Sequence, residues 1–161
     1  MRINIKADFG RTIADVRRYK AEAIQKVNNA VNKSALNIQS DAKKRAAVDT
    51  GDFRASIVIE PSNSADIALK VGSKKMVGKY NLGWLLEYGT GKFNTKGGGR
   101  SGGWYFPASA VKSDTFHFKT ITAKDGTKLY YTEGMRAQPW LTPAAEAERP
   151  KFYAAVRRAL Q

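Results

Sequence analysis

Thr12-Ile13-Ala14-Asp15-Val16-Arg17-Arg18-Tyr19-Lys20 opens a stretch that continues to about Ala47 without a Pro or a Gly. Along it Ile13, Val16, Ile24, Val27, Val31, Ala35, Ile38 and Ala42 recur at the spacing of one helix face. The spacing predicts a long amphipathic helix, whole or broken near Tyr19 and Lys20. Its other face carries Arg17, Arg18, Lys20, Lys26, Lys33, Lys43, Lys44 and Arg45. That face reads either as a solvated surface, with its last cations complementing the helix dipole, or as a binding face. Upstream, Ile3, Ile5, Ala7 and Phe9 alternate with polar neighbours, which predicts a half-buried strand over residues 1 to 9, ended by Gly10. Downstream, Val48-Asp49-Thr50-Gly51-Asp52 stops the helix. Gly51 can take the positive φ of a tight turn there, and Asp49, Thr50 or Asp52 can bond nearby backbone amides.

Two short apolar runs follow, Ser56-Ile57-Val58-Ile59-Glu60 and Ile67-Ala68-Leu69-Lys70-Val71, and they predict a hairpin across Pro61-Ser62-Asn63-Ser64. Tyr80 to Tyr88 is apolar and too short to type by period, so it is read as a short helix or a turn and strand, closed by Gly89-Thr90-Gly91. Residues 91–103 are glycine-rich with few apolar side chains and are expected to be a mobile surface loop. Trp104-Tyr105-Phe106, Thr115-Phe116-His117-Phe118 and Lys128-Leu129-Tyr130-Tyr131 predict strands of a second hairpin region, about 104–134. Thr142 is placed as N-cap and Pro143 as first residue of a C-terminal helix whose stripe is Ala145, Phe152, Val156 and Leu160. Pro150 inside that helix is expected to kink or divide it. The sum is one α+β domain over residues 1–161: a long N-terminal amphipathic helix and a C-terminal helix packed on a small, mainly antiparallel sheet, with an extended glycine-rich loop.

Composition narrows the setting. A chain of 161 residues, 42% hydrophobic and without cysteine, can bury a core but can form neither disulfides nor thiolate metal sites, which suits a reducing compartment. Met1 to Lys6 is too short and polar for a secretion signal, and no apolar run reaches membrane-spanning length, so a soluble chain with no membrane partner is expected. The 28 Lys and Arg against 14 Asp and Glu leave a formal charge of +14. Such a field would attract phosphate backbones, acidic protein rings or anionic surfaces, and it is also compatible with a merely solvated basic surface.

Reactive constellations are sparse. His117 is the single histidine and has no identifiable catalytic partner. Asp49-Thr50-Gly51 repeats the triplet of aspartic proteases, but one copy closing a basic helix reads as turn chemistry. Gly97, Gly99 and Gly102 fit G-x-G-x-x-G without the strand before or the helix after it. Gly91-Lys92 lacks the hydroxyl residue and the first glycine of a phosphate loop. No enzyme, metal or cofactor is expected. Nucleic-acid binding is the reading that competes with a structural one: Lys74, Lys75, Lys79, Lys92, Lys96 and Arg100 lie in or near flexible segments, and Trp104, Tyr105 and Phe106 adjoin the glycine-rich loop. The alternative function is therefore a free-standing basic nucleic-acid-binding module.

Three segments in order are diagnostic: Ala46-Ala47-Val48-Asp49-Thr50-Gly51-Asp52-Phe53-Arg54-Ala55-Ser56-Ile57, then Leu86-Glu87-Tyr88-Gly89-Thr90, then Gln138-Pro139-Trp140-Leu141-Thr142-Pro143-Ala144. Together they resemble the head-tail joining proteins of long-tailed, lambda-like phages, also called neck, tail-completion, minor capsid or tail-component proteins. The usual forms there are Pro-Val-Asp-Thr-Gly-x-Leu-x-x-Ser-Ile, Glu-Tyr/Phe-Gly-Thr and Ala-x-Pro-Phe-Leu-x-Pro-Ala. This chain departs at Ala47 for proline, Phe53 for leucine, Trp140 for phenylalanine, and Pro150 within the last helix.

The resemblance implies a non-enzymatic virion protein, assembled in the bacterial cytoplasm. It would form a homo-oligomeric ring, with six copies expected, between head-closure or connector proteins and the tail terminator, around a conduit for phage DNA. On this reading Asp49, Thr50, Gly51 and Asp52 redirect the chain. Glu87, Tyr88, Gly89 and Thr90 belong to the second turn motif, of which Tyr88 to Thr90 launch the loop, while Gln138, Pro139, Trp140 and Pro143 set the last helix. Partner or DNA contacts are expected from Arg17, Arg18, Lys43, Lys44, Arg45, Lys92, Lys96 and Arg100.

Overall fold

The structure is a computed structural model and describes residues 9–47, 51–62, 68–111 and 117–161. One helix, α1, spans Phe9–Arg45 without interruption. The break considered near Tyr19 is not there. The strand expected over residues 1 to 9 falls mostly outside the described residues, and its last member, Phe9, opens α1, with Gly10 inside the helix. Gly10 sits in the first turn, where a helix still lacks intrahelical partners for its N–H groups, so its low propensity costs little there.

Gly51 takes a φ of 82°, and a four-residue helix, α2 (Asp52–Ala55), follows it. Strands β1 (Ile57–Pro61) and β2 (Leu69–Ser73) then pair antiparallel, Ile57 opposite Ser73 and Pro61 opposite Leu69. The expected hairpin is present, with its second strand two residues later than the apolar run suggested. Strands β3 (Met76–Val77) and β4 (Tyr80–Asn81) form a small ribbon leading into α3 (Leu82–Tyr88). Strands β5 (Trp104–Pro107), β6 (Lys119–Thr122) and β7 (Lys128–Thr132) make a three-stranded sheet in the order β5-β7-β6. His117 and Phe118, expected in a strand, lie just ahead of β6, and the rest of that expected strand is outside the described residues. The last helix, α4, spans Thr142–Ala159.

The fold is thus α+β and antiparallel wherever strands pair, but among the described residues the strands form three separate sheets instead of one. Only the β1-β2 pair packs extensively on α1. The third sheet carries its own aromatic cluster: Phe118 stacks on Tyr130 at 5.2 Å, and Phe106 meets Phe118 edge-on at 5.4 Å. Strand alternation puts Tyr105 and Tyr131 together on the opposite face, 5.2 Å apart.

Helix α4 runs antiparallel along α1. Ala144 joins Ala42 and Ala46 in the core at one end, Glu148 bonds Ser34 and Asn37 midway, and Leu160 meets Tyr19 at the other. Small side chains at the first of these points let the helix backbones approach closely. Glu148 is buried, yet its Oε1 accepts from Ser34 Oγ and Asn37 Nδ2, both at 3.0 Å, so the carboxylate is satisfied. Thr142 is the first helical residue of α4, not its cap. Pro150 leaves α4 as one helix: it lies on the exposed side, where water can take the carbonyl that its missing N–H leaves free.

The stretch 91–103 is less loop-like than expected at its start. Gly91–Phe93 forms a 3-10 turn, Lys92 N–H bonds the Glu133 carbonyl, and Thr95 N–H bonds Tyr88. From Thr95 to Gly102 the chain has neither helix nor strand and is exposed.

Candidate functional site

Helix α3 begins at Asn81, whose side chain accepts the Trp84 N–H at 3.2 Å, and ends at Gly89 with φ 75°. This short helix holds Glu87, a carboxylate within an apolar run, at 6% exposure under the first turn of α4. Glu87 Oε2 accepts from the backbone N–H of Trp140 at 2.8 Å and of Leu141 at 2.9 Å, and Oε1 accepts from Thr142 at 2.9 Å. A helix start leaves such N–H groups without intrahelical partners, and its dipole favours a negative charge. Burial pushes the Glu87 carboxyl upward, but the bonds from Leu141, Thr142 and Trp140 together outweigh it and hold the pKa below its ordinary 4.5.

Trp140 completes the junction. Its Nε1–H donates to the Gly83 carbonyl at 2.9 Å, and its ring meets Phe53 edge-on at 5.1 Å. A Cβ on Gly83 would lie 2.8 Å from that indole, which explains a glycine inside α3. Gln138 N–H bonds Leu86, Thr90 N–H bonds Met135, and Met135 N–H bonds Thr90 Oγ1, so the second and third motifs run side by side. Gly89 is fixed by two constraints: its φ is left-handed, and a Cβ would sit 2.7 Å from the Met135 carbonyl. Phe53 and Ile57 bring the first motif into the same cluster with Ala42, Ala46, Leu86 and Ala144.

The three motifs therefore form one interlocked core. Gly51 turns the chain, and Asp52 pairs with Lys75 at 3.1 Å. Asp49 and Thr50 lie outside the described residues. Tyr88 packs on Trp84, Pro143 sits in the first turn of α4, and Gln138 and Pro139 are exposed on the approach to it. Sequence reasoning missed the task of Glu87 as the clasp of α4. Its signal was a lone carboxylate inside Leu85-Leu86-Glu87-Tyr88.

The residues expected to contact partners do not share one patch. Arg17 and Arg18 are exposed near the start of α1, and Arg18 pairs with Asp15 at 3.3 Å. Lys43, Lys44 and Arg45 form its last turn, with Arg45 on Asp41 at 2.8 Å. The helix rise puts these two groups about 38 Å apart. Lys92 pairs with Glu133, Lys96 lies 4.9 Å from the Tyr88 ring centre, and Arg100 is exposed beside Trp104 in the loop region. Among the described residues no three His, Cys, Asp or Glu side chains converge to hold a metal ion, and no helix is long and apolar enough to cross a membrane.

The most conspicuous feature left is apolar surface exposed on α1. Since Tyr19 already meets Leu160 at the end of α4, the α1 residues before Tyr19 project past that helix. There Phe9, Ile13 and Val16 are 72%, 51% and 61% exposed on one stripe. A second uncovered feature is an apolar groove of about 430 Å³ between α1, β2 and α4.

No curated protein and no solved structure matches the chain. A family model does, over residues 10–108, more than half of the chain, and it is described as "Bacteriophage HK97-gp10, putative tail-component". The match spans the long helix, the first two motifs and β5. The chain belongs to this HK97 gp10-like family of bacteriophage tail components.

Proposed function

We propose that this tail component is a ring-forming subunit of the neck, stacked between head-closure and tail-terminator proteins and joining the DNA-filled head to the tail. The observation that carries the reading is the combination of family membership with an apolar stripe, Phe9, Ile13 and Val16, left exposed along the start of α1. Apolar surface left uncovered on a subunit is favourable to bury against neighbours. Head-to-tail contacts that close give rings, and six copies match the symmetry of phage tails. No side chain is assigned a reaction in this role. Deletion from the phage tests it: filled heads and finished tails that fail to join are expected, and infectious virions lacking the polypeptide would refute it.

The charge of +14 supports a conduit lining that meets DNA, the second reading being an acidic neighbouring ring. Duplex DNA binding that weakens between about 50 and 200 mM salt supports the first, and binding insensitive to salt the second.

A further inference from the structure

The projecting stripe and the groove are complementary, and one subunit cannot join its own. Val31, Ala35, Ile38, Leu69, Val71 and Phe152 line the groove. Ile13 and Val31 lie on one continuous helix, so the rise alone separates them by about 27 Å. We propose that Phe9, Ile13 and Val16 of one copy seat in the groove of a second copy, which makes the contact heterologous and able to propagate around a ring. The inference rests on the reading of the chain as an assembling subunit and names the surfaces used.

Chemistry, shape and charge agree on this occupant. Phe9, Ile13 and Val16 stand at i, i+4 and i+7, the anchor spacing of a helix laid in a groove. A cavity of about 150 Å³ takes one benzene, so a groove of about 430 Å³ has room for one ring and two branched aliphatic side chains. Glu146 is exposed at the rim and has no ion pair among the described residues. The stripe is flanked by the exposed cations Arg17 and Arg18. Arg149 also lines the groove, so the rim offers one unpaired carboxylate, Glu146, as a specific place for a cation of the stripe to land.

The absence of native cysteine makes the test direct. Ile13→Cys is mixed with Ala145→Cys, a position that also lines the groove, at high protein concentration and oxidised, with Leu69→Cys as a second groove variant. The two sites in one chain are too far apart to bridge each other, since a disulfide needs Cα atoms within about 7 Å. A mixed covalent dimer is expected, with each variant alone remaining uncrosslinked. Dimers from Ile13→Cys alone would overturn the proposal in favour of stripe-on-stripe pairing. An oligomer that gives no mixed crosslink would overturn it too, assigning the groove to a partner of different sequence and leaving the ring reading intact. A chain that sediments only as monomer at millimolar concentration would also overturn it, because stripe and groove would then lack affinity for each other. The ring reading itself is judged separately, by the deletion phage. Ile13→Ser should lower self-association about tenfold or more.

Discussion

The junction around Trp140 and the projecting start of α1 are opposite solutions for apolar surface in one chain. At the junction Trp140 is 3% exposed, its indole N–H is bonded, and the buried carboxylate of Glu87 meets three backbone donors. On α1, Phe9, Ile13 and Val16 share a stripe just as regular and stand in solvent. Helical patterning is therefore not evidence of where a helix is covered. The junction holds the subunit together, whereas the stripe contributes little to its folding and is available to a neighbour.

Breaking the junction should have the largest effect. Trp140→Ala removes a buried aromatic and strands the Gly83 carbonyl, and a loss of about 3–5 kcal/mol is expected in urea unfolding followed by circular dichroism. A loss below about 1 kcal/mol would mean that Phe53 and Leu86 hold the core without it.

Glu87→Gln tests the clasp with little change in shape. One amide oxygen cannot serve three donors, and the amide N–H groups then face backbone N–H groups, so a loss of about 2–3 kcal/mol is expected. The same pair of proteins sharpens the comparison by pH. Because the folded-state pKa of Glu87 lies below 4.5, its contribution is fully present above that value and is lost as pH falls through the folded pKa. The advantage of the native chain over Glu87→Gln should therefore hold near neutral pH and shrink below about pH 4.5. An advantage that grew on acidification would contradict the clasp.

Ile13→Ser should do least to the subunit. Its unfolding free energy should shift by no more than about 0.5 kcal/mol, because the side chain is half in water already. A cost near that of Trp140→Ala would show that the stripe is packed within the subunit.

Much of the fold follows from local pattern. The absence of Pro and Gly over residues 12–47 and the helical recurrence from Ile13 to Ala42 dictate α1, because an uninterrupted amphipathic segment has no competing local conformation. Turn chemistry placed Gly51 where φ is positive. Pattern misled where tertiary contacts replaced local ones. Thr142 has the chemistry of an N-cap, yet Glu87, 55 residues away in sequence, supplies the acceptor. Strand-like alternation reached Phe9, but the helix took it.

What the sequence determined by itself is the two long helices, the first hairpin, and the two motifs that fall within the family match, since each depends on residues near one another in the chain. What only the tertiary structure decided is that those motifs and the third close on one another through Glu87 and Trp140, and that the α1 stripe outruns α4 and stays bare. Both depend on where elements end relative to distant neighbours, and short-range spacing carries no record of that.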